Sequence, residues 1–295
     1  MSGPDAVVLR WVAGVLACGA VTVVRGLREG GSPWLLEAGG REVVLRVGQP
    51  GDAPSFATEI AALSLAAGAG VPAPSLLGHD SGPAVGLPVV LTERLPGTSR
   101  IPRQPDQLRL RALGAVAAQL HSVLLNPSAK LPERDRPISG EDFAGMRQRE
   151  GASRLLREAD ALIAGMQPAA ERTVFVHGDL WHGNTLWAGD SLSGLVDWDC
   201  AGAGAPGVDL GSLRCDAALC FGTAAAAEVL RGWEEEAGWP AADVAYWDTV
   251  AALATPPDLG WFPAAIADQG RPDLDRALLL ERRDSFLREA LAHLA

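Results

Sequence analysis

The stretch from residue 174 to residue 199 constrains this chain more than any other. It begins with the apolar run VFV, continues with the tripeptide HGD, which ends at Asp179, and reaches Asn184 five residues later. Two short apolar segments, separated by the turn AGD, then lead to Asp197. The pattern predicts a strand, a polar loop, two short strands and a terminal acid. It brings one carboxylate near one amide oxygen and a second carboxylate.

These three side chains suit phosphoryl transfer from a nucleotide. One carboxylate can orient the attacking hydroxyl and accept its proton, while an asparagine oxygen and a second carboxylate bind magnesium, which prefers oxygen ligands. We therefore predict that Asp179 is the catalytic base and that Asn184 and Asp197 bind Mg²⁺. A solvent-exposed polar turn would contain similar residues, but it would not explain their spacing.

The segment HGDLWHGN, followed by an acid that ends a short strand, resembles the signature of the aminoglycoside phosphotransferase and choline kinase family. These enzymes are small-molecule relatives of the protein kinases. Gly178 stands where protein kinases carry arginine, which indicates the small-molecule branch. The resemblance implies an α+β, two-lobed, protein-kinase-like fold. Residues 1–97 would form an antiparallel-sheet, nucleotide-binding lobe, and residues 98–295 a mainly helical lobe for catalysis and acceptor binding.

The resemblance also implies the reaction and its co-substrates. The γ-phosphoryl group of ATP or GTP would pass, with Mg²⁺, to a hydroxyl of a small molecule such as an aminoglycoside or another amino-alcohol. A sugar, a macrolide or a metabolite alcohol stays open as the acceptor, because the motifs do not define the acceptor pocket.

The nucleotide contacts implied by the resemblance lie in the N-terminal part. A Gly-rich turn that includes Ser32 would cover the nucleotide. Arg46, on the strand REVVLRV, would bind the phosphates in place of a lysine. Glu59, on a helix predicted over residues 54–67, would form a forked ion pair with Arg46. On the strand LPVVLTERLPG, the backbone C=O of Thr92 and the backbone N–H of Arg94 would bind the adenine ring, with Leu91 beside it.

The acceptor is expected beside the catalytic loop and the C-terminal helices. The candidate contacts are Trp181, His182, Asp199, Trp247, Asp248 and Asp258. Asp199 has two open interpretations, support of a second metal ion or binding of an acceptor amine. Tryptophans at helical spacing are also typical of a core. Residues 201–295 contain 15 acids and 7 arginines, and this charge either attracts a cationic acceptor or covers solvated helix faces.

A second motif, GAGAPG at residues 202–207, matches the GxGxxG pattern of dinucleotide-binding proteins. In such proteins an acid at the end of a second strand follows about 20 residues later, but Glu228 lies there in a helical pattern. A dinucleotide-dependent oxidoreductase is therefore one alternative, and a kinase-like module without catalysis is another. The family resemblance instead expects Asp209 to brace the catalytic loop by hydrogen bonds.

Composition narrows the class further. The 295 residues are 48% apolar, which suffices for one large or two smaller domains with cores. The net charge of −11 argues against nucleic-acid binding. The sequence has neither a transmembrane run nor a basic secretion signal. Its four cysteines lack the spacing of a metal site or a disulfide framework. We expect a cytoplasmic enzyme without a membrane or nucleic-acid partner; the sequence does not define its oligomeric state.

Overall fold

The computed structural model describes residues 3–28, 31–168 and 172–294. The chain forms two compact units. The first contains the chain up to Pro96 together with Ser193–Asp199, and the second contains Gly97–Leu192 and the chain from Cys200 onward. The short segment Ser193–Asp199 thus brings Asp197 into the first unit, although it lies far along the chain.

The first unit is built from a five-stranded sheet and two helices. Its elements are α1 (Ala6–Val15), β1 (Val21–Arg28), β2 (Gly31–Ala38), β3 (Arg41–Val47), α2 (Ala53–Ala69), β4 (Leu76–Ser81) and β5 (Pro88–Glu93). The strand order is β1-β2-β3-β5-β4, and every neighbouring pair is antiparallel. The strands and both helices agree in type with the sequence patterns, with shifts of a few residues at their ends.

Side-chain alternation along β3 separates a core face from a polar face. Val43 and Leu45 are fully buried and pack with Val12 of α1. Arg46 alternates with them and therefore points to the other face of the sheet. Leu91 of β5 was predicted beside the adenine, but its side chain is fully buried in the same core as Val43. The Leu91 side chain thus belongs to the core of the sheet, and its place beside the adenine stays a prediction.

The second unit is mainly helical. Its helices are α3 (Gln107–His121), α4 (Phe143–Glu150), α5 (Arg154–Ala164), α6 (Gly207–Phe221), α7 (Thr223–Ala237), α8 (Val244–Leu253), α9 (Phe262–Asp268) and α10 (Arg276–Leu294). The strands of the remaining chain are β6 (Glu133–Arg134), β7 (Val174–Val176), β8 (Thr185–Ala188), β9 (Ser191–Leu195) and β10 (Gly202–Gly204). None of the helices in the described ranges combines the length and apolar character that a bilayer crossing requires.

The GAGAPG motif forms β10 and the start of α6. Strand β10 lies between β6 and β7 in a three-stranded sheet. A Cβ atom at Gly202 would lie 2.2 Å from the carbonyl oxygen of Pro132, and one at Gly207 would lie 2.0 Å from the indole ring of Trp247. These glycines are therefore required for close packing within the protein, which removes the basis for the dinucleotide-binding alternative.

We expect the substitution Gly207→Ala to destabilise the protein. The added methyl group overlaps the Trp247 ring, and overpacking of this kind costs about 1–3 kcal/mol. The measurement is the free energy of unfolding from urea titration. Gly68→Ala is the matched control, because Gly68 is in α2 and its Cβ would meet no atom within 4 Å. Equal stability of Gly207→Ala and the wild type would contradict this account of the motif.

Candidate active site

The loop predicted to be catalytic, residues 177–184 and hereafter the catalytic loop, follows the buried strand β7 and brings Asp179 and Asn184 into contact. The Asn184 Nδ2 atom donates to the backbone oxygen of Asp179 at 2.8 Å and to its carboxylate at 3.0 Å. Asn184 is buried and Asp179 is half-buried. Since the amide nitrogen is directed at Asp179, the amide oxygen of Asn184 points to the opposite side. The predicted base and a predicted magnesium ligand are therefore neighbours.

Glycine at position 178 allows the loop to pack directly against the backbone of Cys200. Its φ is +80°, and a Cβ atom there would lie 2.1 Å from the carbonyl oxygen of Cys200. Only glycine fits this position without displacement of the backbone. The Gly178 carbonyl also accepts a hydrogen bond from the N–H of Ile138 at 2.7 Å.

Asp209, near the start of α6, holds the first part of the catalytic loop. Its carboxylate accepts hydrogen bonds from the backbone N–H groups of His177 at 2.7 Å and Gly178 at 2.8 Å. It also contacts Nε2 of His121 at 3.2 Å. The Trp233 indole N–H donates to Nδ1 of His121 at 2.9 Å, so the His121 proton lies on Nε2 and is donated to Asp209. The expected bracing role of Asp209 is present in the structure.

The pKa of Asp209 follows from these contacts. Complete burial alone would raise its pKa, but the hydrogen bonds that the carboxylate accepts from His121 and from the His177 backbone outweigh that effect and lower the pKa below its usual range. The loop is thus held by a carboxylate whose ionised form is stabilised by its surroundings.

In the first unit, Arg46 is bound by three carboxylates. Its Nη1 donates to Glu59 at 3.0 Å and to Asp197 at 3.1 Å, and its Nη2 donates to Asp199. The predicted pair with Glu59 is present, but the guanidinium is not forked on Glu59 alone, because its second nitrogen binds Asp199. Arg28 forms a further ion pair with Asp197.

These charges shift the pKa values of the group. Burial acts to lower the pKa of Arg46, but the three carboxylates outweigh it and raise the pKa above its ordinary value. Burial raises the pKa of Glu59 to about 7, with Arg46 opposing the shift and Asp197 and Asp199 adding to it. The group therefore combines a permanently charged guanidinium with an acid that titrates near neutral pH.

The other predicted nucleotide contacts lie in or next to strands β2 and β5. The Ser32 hydroxyl is engaged with Val47, from whose N–H it accepts at 3.1 Å and to whose carbonyl it donates at 3.2 Å. Thr92 is paired with Val44 in the sheet, and Arg94 is exposed in an ion pair with Glu42. Residues 29 and 30 of the predicted covering turn lie outside the described residues.

Comparison with known proteins decides the family. The sequence model of the phosphotransferase enzyme family matches residues 23–245. This chain belongs to the phosphotransferase enzyme family. A related sequence is the homoserine kinase of Pseudomonas aeruginosa, which is 31% identical over 186 residues; the match covers 59% of this chain and 58% of that protein. The chain therefore spans little more than half the length of this relative.

Solved structures of phosphotransferases share the fold. A macrolide 2′-phosphotransferase from Brachybacterium faecium is 20% identical with a TM-score of 0.62, covering 93% of this chain and 97% of its own. An aminoglycoside phosphotransferase, solved in a ternary complex with ADP and hygromycin B, is 17% identical with a TM-score of 0.60, covering 95% and 98%. The predicted family resemblance and the α+β kinase-like fold are thereby confirmed.

Two of the predicted acceptor contacts are buried. Trp247 is 5% exposed and packs with Val174 and Val208 in a small core cluster. Asp248 is buried, and both of its oxygens accept hydrogen bonds from Arg214, at 2.8 and 2.7 Å. Asp248 borders a cavity of about 320 Å³ among α6, α7, α8 and α10. Arg214 thus holds the Asp248 carboxylate in an internal ion pair, and the acceptor contacts of Trp247 and Asp248 stay predictions.

The remaining acceptor candidates differ in exposure. His182 is 1% exposed and is bonded to Asp216 of α6, and its acceptor contact stays a prediction. Trp181 is half-buried against the main core of the second unit. Asp258 is exposed, forms an ion pair with Arg276 at 2.6 Å and stays a candidate.

Asp216 is a contact that the sequence analysis did not include. It accepts hydrogen bonds from both the backbone N–H and Nδ1 of His182. A signal for it exists in the sequence, because Asp216 follows Asp209 by seven residues, or two turns of one helix. Two acids at that spacing share a helix face, and the first was already expected to hold the loop.

Proposed function

We propose that this phosphotransferase is a small-molecule kinase that transfers the γ-phosphoryl group of ATP or GTP to a hydroxyl of an amino-alcohol. The observation that carries the proposal is the contact between Asp179 and Asn184 in a loop that Asp209 holds in place. The related homoserine kinase supports the acceptor class, because homoserine contains both an amino group and a hydroxyl. The structural neighbour with hygromycin B and ADP is consistent with a nucleotide co-substrate.

Asp179 is the proposed catalytic residue. A half-buried carboxylate next to an amide can orient the acceptor hydroxyl and accept its proton as the phosphoryl group transfers. Asn184 keeps the Asp179 carboxylate in one orientation through its Nδ2 atom.

Magnesium fits the donor set offered by the predicted ligands. Asn184 and Asp197 supply amide and carboxylate oxygens, which are hard ligands of the kind that Mg²⁺ prefers. When bound, Mg²⁺ would neutralise charge that develops on the transferred group. Asp199 is the proposed support of a second ion or of the acceptor amine.

Arg46 is the proposed phosphate-binding residue. Its guanidinium is held by Glu59 at 3.0 Å, and a guanidinium forms paired, charge-assisted hydrogen bonds with phosphate oxygens. The same guanidinium binds Asp197 and Asp199. We therefore infer that phosphate oxygens and these carboxylates compete for Arg46.

A thermal-shift panel tests the nucleotide part of the proposal. We expect MgATP or MgGTP to raise the melting temperature, because a ligand at 100 times its Kd stabilises the folded state by about 2.7 kcal/mol. The shift should be larger with magnesium than with EDTA and should weaken in Asp197→Ala. NAD is the control ligand, and a shift with NAD alone would overturn the proposal.

An acceptor panel tests the substrate class. With the preferred nucleotide, we expect phosphorylation of homoserine or of an aminoglycoside, measured as acceptor-dependent ADP release and confirmed by mass spectrometry. Alcohols without an amine, such as glycerol, and a macrolide serve as comparison acceptors. Faster turnover of neutral alcohols than of every amino-alcohol would contradict the proposed acceptor class.

A further inference from the structure

Helix α6 carries two buried acids that hold the two ends of the catalytic loop. Asp209 binds the backbone at residues 177 and 178, and Asp216 binds His182. Because seven residues make about two helical turns, both carboxylates lie on the same face of α6. The loop is therefore attached to a single helix near its start and near its end.

Both carboxylate oxygens of Asp216 are used inside the protein. Oδ2 accepts from the His182 backbone N–H at 2.9 Å and from Nδ1 of the same residue. Oδ1 accepts from the thiol of Cys220, with the sulfur 3.8 Å away. His182 and Cys220 are 1% and 0% exposed, so neither can exchange this partner for water. Rotation of the His182 side chain would leave a buried donor and a buried acceptor unpaired.

His182 begins the short turn that presents Asn184. The Asn184 N–H donates to the carbonyl of Trp181 at 3.0 Å, and the His182 carbonyl accepts from the Thr185 hydroxyl at 2.7 Å. The residue that follows Asn184 is thus bonded directly to the His182 backbone, and the hydrogen bond from Asn184 to Trp181 closes the turn around His182. A small rotation of this turn would move the Asn184 amide away from Asp179.

We propose that Asp216 is a positioning residue for phosphoryl transfer, which through His182 sets the orientation of Asn184 relative to Asp179. This inference rests on the proposed function, because it treats Asn184 as a magnesium ligand. Replacement of a residue that hydrogen-bonds to a metal ligand and orients it lowers metal affinity or activity by about 10- to 100-fold.

The same three side chains raise the question of a metal ion. In the described part of the chain, the ligand atoms of His182, Asp216 and Cys220 lie within 4.8 Å of one another. Hydrogen bonds from His182 and Cys220 to Asp216 already account for this proximity. Burial also raises the pKa of the Cys220 thiol well above its usual value, which favours a protonated thiol over a metal-binding thiolate.

The test uses the full chain with its best acceptor. Asp216→Asn keeps the shape of the side chain but replaces one acceptor oxygen by a donor. We expect kcat to fall roughly 10- to 100-fold, the magnesium concentration for half-maximal activity to rise, and the KM for the acceptor to change little. The difference between the thermal shifts with MgATP and with ATP alone should also shrink. His182→Asn, whose amide nitrogen lies near the position of Nδ1, should retain most activity, whereas His182→Leu should not.

Asp160→Asn is the matched control, because it breaks a different ion pair in the same unit, with the buried Arg147 at 2.7 Å. It should lower the melting temperature and leave the magnesium dependence unchanged. Wild-type values of kcat and magnesium dependence in Asp216→Asn, or the same losses in Asp160→Asn, would overturn the inference while the proposed function stands. A zinc-induced rise in melting temperature that Cys220→Ser removes would overturn it in favour of a metal site. An inactive wild type without a magnesium-dependent nucleotide shift would overturn both proposals.

Discussion

Replacement of Asp179 by asparagine is expected to lower kcat by roughly 10²- to 10⁴-fold, the range for loss of a general base. Asparagine is nearly the same size as aspartate. Its side-chain oxygen can still accept the hydrogen bond that Asn184 Nδ2 donates to the Asp179 carboxylate at 3.0 Å in the wild type. The change removes the group that would accept the hydroxyl proton. The KM for the nucleotide and the nucleotide-dependent thermal shift should therefore be nearly unchanged. The measurement is steady-state kinetics with a verified acceptor.

Asp268→Asn serves as the control for this variant, because Asp268 is an exposed residue at the end of α9. Its kinetics should equal those of the wild type. If Asp179→Asn retains wild-type kcat while Asn184→Ala and Asp197→Ala lose activity, Asp179 is not the base and its role must be reassigned.

The second large effect is expected in stability. Asp209→Ala would leave three buried donors without their acceptor: the N–H groups of His177 and Gly178 and the Nε2–H of His121. An unpaired buried donor costs about 1–3 kcal/mol, so we expect a loss of about 3–5 kcal/mol in the free energy of unfolding, measured by urea titration. Glu228→Ala, which removes an ion pair with Arg111 near the surface, should cost much less.

The pH dependence of the Asp209 contribution follows from the direction of its shift. Its pKa is lower in the folded protein than in the unfolded chain, so the stabilisation is fully present above the unfolded pKa. It is lost only as the pH falls through the folded value, in the acid range. The difference in stability between wild type and Asp209→Ala should therefore be constant near neutral pH and shrink on acidification. A difference that grows on acidification would contradict the assignment.

The parts of the site that the sequence predicted are those made by nearby residues. Asp179 and Asn184 are five residues apart in one loop, so their contact depends on little beyond the local turn. The role of Arg46 was implied by the family resemblance, and its place on the strand REVVLRV is a local feature of that segment. The helix that carries Glu59 was predicted from the periodicity of its apolar residues.

The parts that the sequence did not predict depend on distant partners. The sequence near Asp248 and His182 does not show that either side chain has a partner. In the folded protein, α6 places Arg214 beside Asp248 and Asp216 beside His182. Strand β10 was not expected, because a glycine-rich segment has little strand propensity; it forms where β6 and β7 leave space only for glycine. The segment PPDLGWFP gives no clear helix signal before α9, although proline is tolerated in the first turn of a helix.

The double attachment to α6 has a consequence for local opening. The amide hydrogens of His177, Gly178 and His182 all end on carboxylates of this one helix. They can exchange with solvent only when those carboxylates withdraw, so their exchange rates should follow the opening of α6 rather than the fraying typical of a surface loop. In folding terms, the catalytic loop and α6 form one cooperative unit, although 22 residues of chain lie between Asn184 and Gly207.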